Sequence, residues 1–326
     1  MASYIIKRIG WIIFNLLILS LITFILIKNV PGSFLELQIL IGQAGTTATG
    51  LTIAEAEKVK GVETEMMKRW GETVPLWKQY LTFIKGLVTL DMGPSFRWPT
   101  QTIEEIIAKT FPVSFTIAIL AVTIAVFIGI PLGVLAALKQ NSWIDYLVSA
   151  LVMIVSAIPN YVMAVFVIFL FSFWIPILPT YGWGQPKNYI LPVLAMSFGP
   201  IGSIAGYMRT SLLDTLKQDY IRTAWAKGGT ERHVIFGHAM KNSLIPLVTI
   251  LGPMISQLIL GTVFVESMFG VPGMGQYFSQ AAGSRDYPLM MAQTVIFGLI
   301  LMIMNLIVDI IYFFLDPRIR LSGKES

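Results

Sequence analysis

No cysteine occurs in the 326 residues, which removes disulfides, thiol nucleophiles and thiolate metal sites. Charge is almost as scarce: Asp, Glu, Lys and Arg supply 13% of the chain, against roughly 25% in a soluble globular protein. A chain that is 55% hydrophobic then has too little polar surface for water, which excludes disorder and an ordinary soluble enzyme. Only two histidines are present, His233 and His238, and their spacing of five is off the i,i+4 register of a helical zinc pair. There is no HExxH and no GxSxG. A phosphate-cradling GxxxxGK[ST] is also missing, since Gly323-Lys324 is the sole Gly-Lys pair and Arg318 stands where the first glycine should. The sequence therefore predicts no catalytic residue, no metal ligand and no cofactor site. The chain is not read as an enzyme.

What remains is apolar, with a mean hydropathy of +0.73. Charge-free intervals fall at 9–27, 110–138, 146–186, 188–208, 242–265 and 287–308. A bilayer core takes about 20 apolar residues of helix, and a charge at its centre costs roughly 2.5–3.5 kcal/mol on insertion scales. The first interval follows Lys7 and Arg8 and lacks a small-residue cleavage site, so it reads as a retained first helix. Interval 146–186 could hold one span or a hairpin turning at Pro159-Asn160. Segment 209–241 carries Arg209, Lys217, Arg222, Lys227, Arg232 and Lys241, and the positive-inside rule puts it on the same side as Lys7 and Arg8. That needs a single span in 146–186, near 155–176, preceded by an interfacial helix with Trp143 and Asp145. Six spans follow, with both termini in the cytoplasm, and Arg318, Arg320 and Lys324 agree with this. The net charge of +5 and a pI of 9.3 then reflect a basic inner face beside membrane lipid, not nucleic acid.

The organisation read from this is a tail and first helix at 1–28, an extracytoplasmic insertion at 29–110, a five-helix domain at 111–315 and a cytoplasmic tail at 316–326. Within the insertion, 42–50 is Gly/Thr-rich, 54–70 is a charged helix candidate, and 75–87 begins with Pro75. Leu76, Tyr80, Phe83, Ile84 and Leu87 follow at helical spacing, an amphipathic pattern. Sixteen methionines spread over several spans read as packing. Asp309 is the suggestive intramembrane acid, although Asp316 follows it closely and an interfacial carboxylate explains it better than a proton relay. Candidate pathway residues are Ser156, Asn160, Ser203, Gln257 and Gln293, each equally suited to bonding between helices.

Loop 214–242 carries the most information. Asp219 can cap a short helix containing Tyr220, Ile221, Arg222, Thr223, Ala224, Trp225 and Ala226. Lys227 leads into Gly228-Gly229, which breaks it. Thr230, Glu231 and Arg232 open a second helix running through His238 to Met240, with Asn242 beyond it and Pro246 marking the fifth span. Two short helices at a glycine turn make a knob for another protein, while a helix lying flat in the headgroups also fits a basic amphipathic stretch.

This loop resembles the EAA loop of ABC-importer permeases in its dipeptide/oligopeptide form, which reads DYIRTARAKG, a histidine, an asparagine and LIP. Asp219–Gly228, His238, Asn242 and Leu244-Ile245-Pro246 stand in that register, with Trp225 where the branch commonly has arginine. Further matches are PLWKQY at 75–80, LDMGPSFRW at 90–98 (Met92 replacing Leu or Phe) and SWIDYLV at 142–148. They continue with FVESMFGVPGMG at 264–275, RDYPLM at 285–290 and NLIVDIIYFFLDPRIR at 305–320. The resemblance implies an all-α integral membrane fold, the six-helix ABC type I importer transmembrane domain with a large extracytoplasmic insertion between helices 1 and 2. It also implies a heterodimer with a second permease, two ATP-binding subunits that carry ATP and Mg, and an extracytoplasmic substrate-binding protein. Residues 219–242 would couple ATP-driven closure to alternating access for a peptide substrate. The same machinery imports nickel complexes or oligosaccharides in other members. A secondary transporter running on an ion gradient is the rival class, but it needs paired intramembrane charges, and Asp309 alone is on offer.

Overall fold

The structure, a computed structural model, describes residues 2–30, 64–65, 67–71 and 73–315. The 42–50 stretch, most of the 54–70 helix candidate and the basic tail from 316 lie outside the described residues. Ten helical elements are used below. They are α1 (Ala2–Lys28), α2 (Leu76–Thr89), α3 (Ile103–Leu138), α4 (Trp143–Ala157) and α5 (Asn160–Ile168, continued by a π turn to Trp174). After them come α6 (Pro186–Leu216), α7 (Asp219–Ala226), α8 (Glu231–Phe269), α9 (Met274–Ser284) and α10 (Tyr287–Leu315). Among the described residues the β structure is one isolated bridge, Pro94 to Thr102.

Among the described residues five helices are long and apolar enough to cross a bilayer, and the bent pair α4–α5 makes a sixth if it is taken as one span. The two halves of that pair meet at 102°. Pro159 has no N–H to donate and biases Ile158 away from helical torsions, so Ile158 is extended (ψ 122°) and the chain turns there. The expected span near 155–176 is thereby corrected: Ser156 and Ala157 end the preceding helix, and the helix after the break is 160–174.

The helices group into two compact units. The first comprises Met1–Val113 and Pro272–Ile300. Its core joins Phe24 and Ile27 of α1, Phe83 of α2, Ile106 of α3 and Leu289 and Val295 of α10. Helix α2 starts at Pro75 as the sequence predicts and ends on Leu90 in the left-handed region (φ 54°). Leu76, expected on its buried face, is 57% exposed. The buried place in that turn goes to Gln79, whose amide donates to the carbonyls of Gly71 (3.2 Å) and Val74 (2.9 Å). Loop 91–102 closes through Ser95 N–H to Gln101 O (3.1 Å) and Ile103 N–H to Gly93 O (3.0 Å). Asp286, fully buried, anchors that loop by accepting the Ser95 hydroxyl and the Arg97 N–H, and it caps the first turn of α10 through Leu289 N–H. Burial pushes its carboxyl up, and these donors together with Phe96 N–H act against that rise.

The second unit comprises Ser114–Val271 and Leu301–Ser326. Helix α6 is its centre, buried along Leu191, Met196, Ile204, Met208 and Leu212. Small residues let backbones approach here, as they do in membrane bundles generally. A Cβ added to Gly133 of α3 would stand 2.5 Å from Ala205 O and 2.7 Å from Met208 Cβ of α6. One added to Gly202 of α6 would overlap Ser156 of α4.

Candidate functional site

The glycine-hinged loop stands on the end of α6. Helix α7 buries Ile221 against Met208 and Leu212 of α6, Val134 and Ala137 of α3, and Val234 and Ala239 across the turn. Its other faces are open, including Asp219, Tyr220, Arg222, Thr223, Trp225, Ala226 and Lys227, while Ala224 is half-buried. Asp219 is the first helical residue and not the cap. Gln218 holds the N-cap position and makes no side-chain cap bond.

The turn after α7 is a Schellman closure. Gly229 N–H reaches Ala224 O (3.2 Å) and Gly228 N–H reaches Trp225 O (2.9 Å). Gly228 has φ +82°, and a Cβ on Gly229 would lie 2.8 Å from Val234 Cγ2 and 2.9 Å from Ala224 O. One glycine thus supplies the left-handed torsion and the other the close approach, as a sharp crossing of two segments requires. Thr230 then starts the second segment, with Glu231 and Arg232 exposed in its first turn. That segment is not a separate short helix. It runs through a π turn, Val234–Ala239, directly into the long apolar helix, and Pro246 lies inside α8. Asn242 donates to the Tyr220 hydroxyl at 2.7 Å, tying the start of α7 to α8. The π turn brings the rings of His233 and His238 to 5.3 Å, edge to face, both exposed. Among the described residues no group of three metal-binding side chains occurs.

Two of the five pathway candidates, Ser156 and Asn160, flank the α4–α5 break, and Ser203 lies on the stretch of α6 against which they pack. Ser156 donates to Val152 O (2.7 Å) and abuts Gly202. Ser203 donates to Gly199 O (3.2 Å), and Asn160 lies between Gly199 and Gly261. Gln257 is exposed elsewhere on α8. Gln293 belongs to the first unit, fully buried, with its amide on Met274 O at 3.1 Å.

Besides the Asp286 anchor, two buried polar contacts escaped the sequence reading. Glu266, fully buried near the end of α8, accepts the Ser114 hydroxyl of α3. Asp145, 1% exposed, is gripped by Arg209. Both acids border charge-free intervals, where they served only as markers of an end; a carboxylate beside so much apolar sequence was itself the signal. Asp309, singled out instead, is half-buried.

A family model described as "Binding-protein-dependent transport system inner membrane component" matches residues 129–321. The chain is 36% identical over 325 residues to the dipeptide transport system permease protein DppB of Bacillus subtilis, covering 99% of this chain and 100% of that one. It is 34% identical over 322 residues to the oligopeptide transport system permease protein OppB of Haemophilus influenzae, covering 98% and 100%. In fold it is similar to a chain of the inward-facing MetNI methionine ABC transporter, with a TM-score of 0.57 at 18% identity over 65% of this chain and 96% of that one. The match over most of the chain, the apolar helices and the shared fold agree: this is a multi-pass membrane protein of the binding-protein-dependent transport system inner membrane components, the permease subunits of ABC importers.

Proposed function

We propose that this permease imports di- or oligopeptides as half of a heterodimeric pathway with a second permease. Two cytoplasmic ATP-binding subunits drive it and an extracytoplasmic binding protein delivers the substrate. The glycine-hinged knob carries this reading. Its buried face fixes it to α3 and α6, the Schellman turn fixes its shape, and Tyr220, Trp225 and Phe236 stay exposed on it at 44%, 42% and 55%. Exposed aromatics on a rigid support are what a protein partner's cleft can grip. Closure of the ATPases would push residues 219–242 and, through α6 and α8, open the seam between the permeases outward; hydrolysis resets it. Peptide as the substrate class follows the dipeptide and oligopeptide permeases that the chain resembles along its length.

The purified chain alone is expected to hydrolyse no ATP. Addition of the second permease and the two ATPases should create a hydrolysis rate that rises with peptide-loaded binding protein in proteoliposomes. Turnover by the lone chain, or an assembled complex indifferent to loaded binding protein, would remove the importer reading.

Basic-residue asymmetry supports cytoplasmic termini and a cytoplasmic knob. With no native cysteine, single introduced thiols report without background. In intact cells Thr223→Cys should resist an impermeant maleimide, whereas Thr100→Cys and Thr180→Cys, both at exposed positions, should label. Labelling of Thr223→Cys from outside would invert the topology.

A further inference from the structure

Helix α4 poses a problem of attachment. Only Asp145 and Val148 are buried along its length, while Trp143, Tyr146, Met153 and Ile154 are 58–73% exposed. Its apolar stripe is narrow, Val148 with the half-buried Ile144, Val152 and Val155, and a polar fixture stands within it. Asp145 Oδ1 accepts Arg209 Nε at 2.5 Å and the Ser149 hydroxyl at 3.3 Å. Its Oδ2 accepts Arg209 Nη2 at 2.7 Å and the Asn141 N–H at 3.0 Å. A guanidinium fork closed on both carboxylate oxygens sets angle as well as distance, which a lysine cannot do.

Arg209 lies on the same stretch of α6 that carries the knob. Its neighbours Met208 and Leu212 bury Ile221 and Val234, and its own backbone N would lie 3.1 Å from a Cβ on Gly133 of α3. At the far end of α4, Ser156 and Val152 O press on Gly202 of the same helix α6. Beyond Ser156 come the 102° break and Asn160. Helix α4 is thus clamped to α6 at both ends, with the knob beside one clamp and the break beside the other.

We propose that Asp145 and Arg209 are positioning residues for coupling: their ion pair makes α4 move with α6, so that displacement of the knob reaches the break at Ile158-Pro159 and the polar groups of Ser156 and Asn160. The proposal rests on the importer reading above. Burial of the pair is itself weak support for a purely stabilising role, since such pairs often gain little net energy and serve instead to specify register.

The test uses the complete complex in proteoliposomes, with spin labels at Met153→Cys on α4 and Thr210→Cys, an exposed position on α6 beside the knob. With the pair intact, the distance between the labels should keep one narrow distribution in nucleotide-free and vanadate-trapped states. In Arg209→Lys, which retains the charge but loses the fork, the distribution should broaden or split on trapping. Peptide imported per ATP hydrolysed should then fall on the order of tenfold, a usual size for a coupling term, while ATPase binding persists. Asp145→Asn should do the same. A distance that changes between the two states with the pair intact overturns the proposal without any substitution in it. So does Arg209→Lys with unchanged import per ATP, counted per assembled complex so that lost abundance does not enter. If the intact complex shows no peptide-stimulated hydrolysis, the importer reading has failed instead, and the two failures are told apart.

Discussion

Gly228→Val is expected to reach the membrane in near-normal amount and to lose most ATPase docking and peptide uptake. Space is not the obstacle, because nothing lies within 4 Å of where the new Cβ would stand. The obstacle is φ +82°, a torsion that a β-branched residue adopts only at a strain of ~1–3 kcal/mol. Helix α7 has eight residues, too few to be stable by itself, so relief of that strain by opening the Schellman turn costs little local structure. Once it opens, Trp225 and Ala224 lose their bonds to the two glycine N–H groups and the knob loses its shape. Gly228→Asn should be milder, since asparagine tolerates the left-handed region. Gly237→Val is the control: it lies in the π turn with ordinary torsion, and its Cβ would meet only the His233 ring at 3.7 Å. Uptake and co-purification of the ATPases, measured for all three, decide the matter. Wild-type values in Gly228→Val would end the case for a rigid coupling knob.

Gly133→Leu is expected to fail earlier, in folding. A Cβ there would stand 2.5 Å from Ala205 O and 3.1 Å from Arg209 N, and these are backbone atoms that cannot rotate away. Helices α3 and α6 would have to separate, exposing Met208 and Leu212 and the base of the knob. Overpacking of this kind costs ~1–3 kcal/mol, and more where backbone must shift. The expected result is a several-fold drop in chain recovered in monodisperse form from detergent. Gly283→Ala, with nothing within 4 Å, should match wild type in the same assay. Equal recovery of Gly133→Leu would show that α3 and α6 do not meet closely at this level.

The extent of the apolar helices was legible because bilayer energetics write it directly into the sequence as intervals without charge. The α2 helix and the glycine turn were legible too, through Pro75 and Gly228-Gly229, residues whose backbone chemistry permits few alternatives. Less legible was where helices fuse. Pro246 reads as the entry to the fifth span, yet α8 already runs through it from Glu231, since an interior proline removes one helical bond and bends a long helix without having to end it. The Asp145–Arg209 clamp was hidden for a different reason. Its partners are 64 positions apart, and helical periodicity states which face a residue occupies but not which residue on another helix it meets.

The bend at Pro159 also bears on the lipid. Helix 160–174 has fifteen residues, nine α-helical and six in the π turn, and rises about 22 Å at most, against ~30 Å of hydrocarbon. Asn160 lies against Gly199, ten residues along α6 from Arg209 at the knob end, so this helix begins about 15 Å into the span and not at its edge. Helices α4 and α5 thus share one crossing, and a thicker or thinner bilayer is met by tilting the two halves about the break, at an elastic cost that grows with the mismatch. The break that frees Asn160 from a continuous helix thereby makes the conformational balance of the permease sensitive to hydrophobic mismatch with the membrane around it.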